Sequence, residues 1–150
     1  MALPVAPKAL PAADDNNSGQ FTTHHVVDTH VRGKALSVVY TNDPVSVESS
    51  IQTMEQFLAE DKYRVVGFDL EYTIGRAGHD QKVVVAQLCM RHDVLVYHFH
   101  LATRPCECFS RFIKSSDYSF ATVDTTNDLK ALKVSDLKCP NLVNIQHHYK

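Results

Sequence analysis

The pattern of apolar and polar positions predicts strands that alternate with helices. Two β-branched runs meet at Gly33, which predicts an antiparallel hairpin over residues 24–42. Over residues 42–61 the apolar positions recur with the period of a helix, and Asp43 and Pro44 suit its N-cap and first position. The predicted inward face of this helix consists of Val47, Ile51, Met54, Phe57 and Leu58.

The rest of the chain continues the same alternation. It predicts strands at residues 64–73, 82–90, 93–100 and 118–126, and helices at residues 105–116 and from Asn127 onward. The order β-β-α-β-β-β-α-β-α predicts an α/β domain with a mixed sheet, in which strands 1–3 are antiparallel and further strands are parallel, flanked by helices. Residues 1–22, with their prolines and polar run, predict a flexible leader, and residues 23–150 form the domain.

Composition narrows the range of partners. The chain is 44% hydrophobic with a formal net charge of -2, so it has no general basic field that would hold nucleic acid. Such binding would depend on a local patch or on metal ions. No apolar run approaches the ~18 residues of a membrane-spanning helix, which predicts a soluble protein with no membrane partner. Four cysteines in segments that read as core or helix favour a reducing intracellular compartment, the nucleus or the cytoplasm.

Two acids stand in an otherwise apolar strand, RVVGFDLEYT. Asp69 and Glu71 are two residues apart, so their side chains share one face of the strand. Two neighbouring carboxylates repel each other, and a hard divalent cation such as Mg²⁺ removes that repulsion. The alternative is a pair of exposed, idle acids at a strand end, a common arrangement for an isolated D-x-E.

A third acid, Asp128, follows a predicted strand and opens a predicted helix. This places it at the carboxyl end of the sheet, where α/β proteins bind ligands. The alternative is an acid that the helix dipole favours in the first turn. Asp124 is a competitor, but it is predicted to lie within the strand. The loop after the acid pair carries Arg76, His79 and Lys82, which could contact phosphates or form a solvated turn.

These motifs resemble the Werner-type 3′-5′ exonuclease domains, the plant members most closely. They are VVGFDLEYT, the Q-L strand VVVAQLCM, and V-x-x-x-x-N-D-L-K-A-L, and the resemblance covers roughly residues 28–150. It implies a ribonuclease H-like fold of the DnaQ-like, D-E-D-D group. It also implies that Asp69, Glu71 and Asp128 bind two Mg²⁺ or Mn²⁺ ions and hydrolyse the 3′-terminal nucleotide of single-stranded DNA or RNA. Leu70 and Tyr72 match positions that contact the terminal nucleotide.

The chain departs from the family in one respect. The family's third motif is a Tyr or His four residues before a last Asp, and nothing after Asp128 matches it. The domain is therefore predicted to be C-terminally incomplete. Two alternatives follow: a catalytically inactive module of the same fold that binds nucleic acid or protein, and a homo-oligomer that completes a site across an interface.

Overall fold

One mixed sheet of eight strands carries three helices. The computed structural model describes residues 8–9, 22, 24–73 and 81–148. The strands are β1 Lys8–Ala9, β2 His24–Val31, β3 Lys34–Thr41, β4 Val65–Tyr72, β5 Val83–Met90, β6 Asp93–Tyr97, β7 Ser119–Thr122 and β8 Leu142–Asn144; the helices are α1 Pro44–Glu60, α2 Glu107–Lys114 and α3 Thr125–Val134. The strand order is β1-β2-β3-β6-β5-β4-β7-β8. This is the predicted α/β architecture with a mixed sheet. The antiparallel strands differ from the prediction: β2 pairs antiparallel with β3, but β4, the third predicted strand, pairs antiparallel with β5 and not with the hairpin.

The predicted hairpin is formed by β2 and β3, which pair antiparallel along their whole length. Its two-residue turn holds Arg32 at φ 50° and Gly33 at φ 77°. Positive φ at both central residues defines the turn type whose twist matches the right-handed twist of the strands.

Helix α1 begins as predicted. The Asp43 side chain accepts a hydrogen bond from the backbone N–H of Val45 at 3.1 Å, and Pro44 opens the helix. Four of the five residues predicted to face inward are buried, namely Val47, Ile51, Met54 and Leu58, and Phe57 packs against them half-buried.

All three helices cover the same face of the sheet. Each joins two parallel strands and crosses toward β8 (β3 to β4, β6 to β7, β7 to β8), and right-handed crossovers in one direction put their helices on one side. The core forms there, with edge-to-face ring contacts of 5.4 Å between Phe112 and Phe120 and 5.1 Å between Tyr97 and Phe109. None of the described helices has the length and apolarity that crossing a bilayer demands.

The other face of the sheet is much more exposed. We call it the open face and define it by the paired residues whose side chains alternate with those of the core: His25, Tyr40, Val94, Val96, Gln87, Cys89, Val65, Gly67, Asp69, Glu71, Ala121 and Val143. Val65 on this face is 47% exposed. The acid pair therefore lies on the side of the sheet that the described helices leave uncovered.

The structure corrects several sequence-based boundaries. Strand β7 ends at Thr122, so Asp124 is not a strand residue; its side chain caps α3 by accepting from the Asn127 N–H at 3.2 Å, and the helix begins at Thr125. Strand β6 ends at Tyr97, and a 3-10 turn at Phe99–Leu101 takes up the last two residues of the predicted strand. The three-residue strand β8 was not predicted, because it is too short for a periodic signal. Strand β1 lies within the predicted leader, most of which falls outside the described residues.

Cys89 and Cys139 should be alkylated at different rates, because one thiol is exposed and the other is buried. Cys106 and Cys139 are buried, and burial, followed by the Asp128 charge, raises the pKa of the Cys139 thiol to about 12. Cys89, in contrast to the sequence-based placement in the core, is exposed on the open face. Iodoacetamide should label Cys89 before Cys139 in the native chain, since the thiolate is the reactive form and must be accessible. Peptide mass spectrometry measures the order; equal labelling without denaturant would contradict it.

Candidate functional site

Strand β4 presents its two acids to solvent. Its exposure alternates along the strand: Asp69 and Glu71 are exposed on the open face, whereas Leu70 between them is 4% exposed in the core. Beyond the acids the pairing with β5 shifts, because Glu71 pairs with Val85 but Tyr72 pairs with Val83. The extra residue on β5 is a β-bulge, a feature often found beside active sites because it redirects a side chain.

The charges of the other two acids affect the pKa of the Asp69 carboxyl group. Although Asp69 is exposed, partial desolvation by its neighbours on the sheet raises its pKa most; the charges of Glu71 and Asp128 raise it further, and a hydrogen bond from the Leu70 backbone lowers it. Asp69 is therefore within electrostatic reach of both other predicted ligands at the carboxyl edge of the sheet. This like-charge arrangement is unfavourable unless a proton or a cation neutralises part of it.

Helix α3 carries Asp128 in its first turn, with the Asp124 cap one turn earlier. The Asp128 side chain is 1% exposed. Its Oδ2 accepts a hydrogen bond from the Thr122 hydroxyl at 2.6 Å, and its Oδ1 accepts one from the Tyr72 hydroxyl. Each carboxylate oxygen thus has a protein donor, which a buried polar group requires.

Tyr72 is tied to the acids by charge as well as by this hydrogen bond. Burial raises its pKa, the hydrogen bond to Asp128 raises it further, and the charges of Asp128, Asp124 and Asp69 add to the effect. The phenol therefore stays protonated and remains a donor to Asp128. Sequence reasoning assigned Tyr72 to substrate contact and did not identify this bond.

The structure places the predicted site residues in two groups. Asp69 and Glu71 share the open face, whereas Asp128 directs its oxygens to the hydroxyls of Tyr72 and Thr122. Leu70 lies in the core, and its predicted substrate contact stays a prediction. Among the predicted phosphate-contacting residues, Arg76 and His79 fall outside the described residues, while Lys82 is exposed.

Thr122 is a site residue that the sequence analysis missed. It alternates with Phe120 toward the core and is 2% exposed, so a hydroxyl occupies a position where β7 otherwise buries apolar groups. A buried hydroxyl needs a partner. A threonine at a buried strand position, followed by an acid in the first turn of the next helix, was therefore the sequence signal that could have predicted this hydrogen bond.

A shallow cavity of about 360 Å³ lies beside Asp69. Gly67, which has no side chain, and Ala121, which has only a methyl group, line the cavity together with Val123 and Ile145. A Cβ added to Gly67 would stand 3.3 Å from the Cβ of Cys89, so the absence of a side chain at this position keeps the surface open.

The donor chemistry of the site suits a hard divalent cation. Three carboxylates offer oxygen ligands, and desolvation followed by repulsion from Glu71 and Asp128 raises the pKa of Asp69, a combination that a bound cation relieves. The geometry is less complete: the described residues contain no group of three His, Cys, Asp or Glu side chains arranged to hold a metal ion. The carboxylates fit the ion chemically, but Asp128 is bonded to hydroxyls.

Removing the Thr122 hydroxyl should weaken the anchoring of Asp128. Thr122→Val keeps the side-chain shape but deletes a donor to a buried carboxylate, so the free energy of unfolding should fall by about 2 kcal/mol. Thr122→Ser keeps the hydroxyl and serves as the matched control. Urea unfolding followed by circular dichroism measures both variants; equal stability of the Val and Ser variants would show that this bond contributes little.

Comparison with solved structures identifies the class of fold. No protein-family model matches the sequence, and no curated protein matches it. The mixed sheet and its helices match the ribonuclease H-like exonuclease fold. Its structural neighbours at 11% to 14% sequence identity include exonuclease domains and an exoribonuclease.

Three of these neighbours show the extent of the likeness. The EXD2 exonuclease domain soaked in Mn and GMP aligns with a TM-score of 0.62 at 11% identity, over 74% of this chain and 57% of that chain. Trypanosoma brucei RNase D aligns with a TM-score of 0.60 at 11% identity, over 73% of this chain and 38% of that chain. The Aedes aegypti Nibbler EXO domain aligns with a TM-score of 0.52 at 11% identity, over 73% of this chain and 53% of that chain. The present chain therefore matches less than two thirds of each neighbour's length, and the likeness concerns the fold.

Proposed function

We propose that this chain is a metal-dependent 3′-5′ exonuclease domain that hydrolyses the terminal phosphodiester of single-stranded DNA or RNA. The observation that carries the proposal is the placement of two exposed acids, Asp69 and Glu71, on one face of β4 beside the cavity of the open face, with the first-turn acid of α3 at the same end of the sheet. Like-charged side chains grouped at one edge of a sheet interact unfavourably, and such groups are found preferentially at functional sites.

The three carboxylates have distinct tasks in this proposal. Asp69 and Glu71 would hold two Mg²⁺ or Mn²⁺ ions from the open face, and Asp128 would join them from α3. Bound cations at such a site lower the pKa of water and neutralise charge on the phosphate. Tyr72 acts as a positioning residue, because its hydroxyl fixes one oxygen of Asp128. Its contact with the terminal nucleotide, like that of Leu70, is part of the proposal.

Two neighbours support the choice of ion and substrate. The EXD2 exonuclease domain was crystallised with soaks of Mn and GMP and of Mg and dGMP. Escherichia coli RNase D is described as an exoribonuclease. Both ribo- and deoxyribonucleotides therefore belong in the assay for this chain.

The test is release of mononucleotides from 5′-labelled single-stranded DNA and RNA in Mg²⁺ and in Mn²⁺. We expect stepwise shortening from the 3′ end that EDTA stops and a 3′-terminal phosphorothioate linkage slows. An oligonucleotide with both ends joined is the matched control, because an exonuclease leaves a circle intact. Cutting of the circle, or no shortening in either metal, would contradict the proposal.

A second candidate function has its own supporting observation. Both oxygens of Asp128 are bonded to hydroxyl groups, and the described residues show no three-ligand metal group. A non-catalytic module of the same fold that binds nucleic acid or protein would need no such group. Turnover in Mn²⁺ by chain purified to a single species would exclude this candidate. A homo-oligomer that completes the site would instead show activity that rises steeply with chain concentration.

A further inference from the structure

A row of paired residues crosses the open face from the acid pair to a group of aromatic rings. Asp69 pairs with Gln87, Gln87 with Val96, Val96 with Tyr40, and Tyr40 with His25. Directly paired residues have their side chains on the same face of a sheet. The row therefore runs over β4, β5, β6, β3 and β2 and starts at a predicted catalytic acid.

The far end of the row is a three-ring cluster, which we call the ring cluster: His25, Tyr40 and His98. The Tyr40 ring centroid lies 4.3 Å from that of His98 and 5.9 Å from that of His25. All three residues are partly exposed. Burial lowers the pKa of His98, so its ring is neutral at neutral pH and offers a π-face rather than a charge.

We propose that the ring cluster is a base-stacking subsite for the nucleic-acid strand whose 3′ end lies at Asp69 and Glu71. This inference rests on the proposed nucleic-acid substrate and names where the upstream nucleotides bind. The cavity beside Asp69, on the β7 side, receives the terminal nucleotide, and the preceding nucleotides cross Gln87 and Val96 to reach the rings.

The dimensions of the sheet fit such a strand. Tyr40 lies three strand spacings from Asp69, which is about 14 Å, the reach of a few nucleotides. Gly67 and Ala121 leave room at the cavity end, and Gln87, which also lines the cavity, supplies an amide donor along the row for a phosphate or sugar oxygen. Aromatic rings on an exposed sheet face are a recurrent platform for unpaired bases.

The composition of the row also predicts how the subsite discriminates. The described row has no lysine or arginine, so binding would depend on stacking more than on counterion release. Every base has a π-face, and stacking therefore tolerates sequence. The subsite should take single strands of any sequence and reject duplexes, whose bases are already stacked.

Binding in EDTA isolates the subsite from hydrolysis. Fluorescence anisotropy of labelled oligothymidylate with the full chain should show a Kd about tenfold higher for Tyr40→Ala. Tyr40→Phe keeps the ring and should stay near the original Kd. Tyr63→Ala removes an aromatic ring that is 73% exposed away from the row, and it should leave the Kd unchanged. Equal effects at positions 40 and 63, or no effect at position 40, would overturn the inference.

Photocrosslinking provides a readout on the unsubstituted chain, so a Tyr40→Ala variant that fails to fold does not block the test. With 4-thiothymidine a few nucleotides from the 3′ end, we expect the crosslink on the peptide that holds Tyr40 or His98. A crosslink confined to other peptides would overturn the inference, as would absence of oligonucleotide binding.

Light scattering tests whether the open face binds a second copy of the chain. A mass of two copies, with no oligonucleotide binding, would assign the open face to that second copy instead. Tyr40-dependent binding without nucleotide release would contradict only the exonuclease activity.

Discussion

Asp69→Asn should lower the rate of 3′-nucleotide release by at least about 100-fold. The amide keeps the shape of the side chain but removes the charge that would bind a cation on the open face. Single-turnover hydrolysis of a labelled oligonucleotide in Mg²⁺ measures the loss. Asp117→Asn is the matched control, since it makes the same change at an exposed loop acid on another part of the molecule. Comparable rates for the Asp69 variant and the unsubstituted chain would remove Asp69 from the site.

The same substitution should raise stability at neutral pH. Burial and two neighbouring charges raise the pKa of Asp69 in the folded chain above its unfolded value, so ionisation of this group opposes folding. The loss of folding stability caused by ionising Asp69 is therefore absent below the pKa of the unfolded chain and complete above the pKa of the folded chain. Asp69→Asn should therefore have the higher Tm at pH 7, and the difference should disappear in acid. Activity lost together with stability would instead indicate misfolding.

Local patterns predicted much of the fold because the relevant forces act over short stretches of chain. Helix α1 has a cap, a proline and an apolar period that agree, and each reports on residues within a turn or two of itself. The hairpin turn at Gly33 is equally local, because it depends on positive φ at two positions. Strand β8 was not predicted because its three residues form a strand only by pairing in parallel with β7, a contact that the local sequence does not report.

The candidate site was predicted in its parts but not in its contacts. Spacing alone places Asp69 and Glu71 on one face of a strand. The surroundings of Asp128 depend on Tyr72, 56 positions away, and on the end of β7 at Thr122. An alternative end for that strand made Asp124 a strand residue in the sequence analysis. The predicted strand ran to Thr126, whereas β7 ends at Thr122 and α3 begins at Thr125, so this four-residue difference decides which acid caps the helix and which one meets the Thr122 hydroxyl.

Asp128 should show two separable losses when it is replaced. Asp128→Ala removes the acceptor for two hydroxyls at a position that is 1% exposed, so the free energy of unfolding should fall by about 3 kcal/mol. Asp128→Asn retains an oxygen acceptor and nearly the same volume, and we expect a loss of about 1 kcal/mol. Both variants should lose nucleotide release to the same extent, because each removes the charge. Urea unfolding and single-turnover hydrolysis, measured on the same samples, separate the two roles. An active Asp128→Asn variant would make this acid a structural anchor for Tyr72 and Thr122, and the cation site would then consist of Asp69 and Glu71 without it.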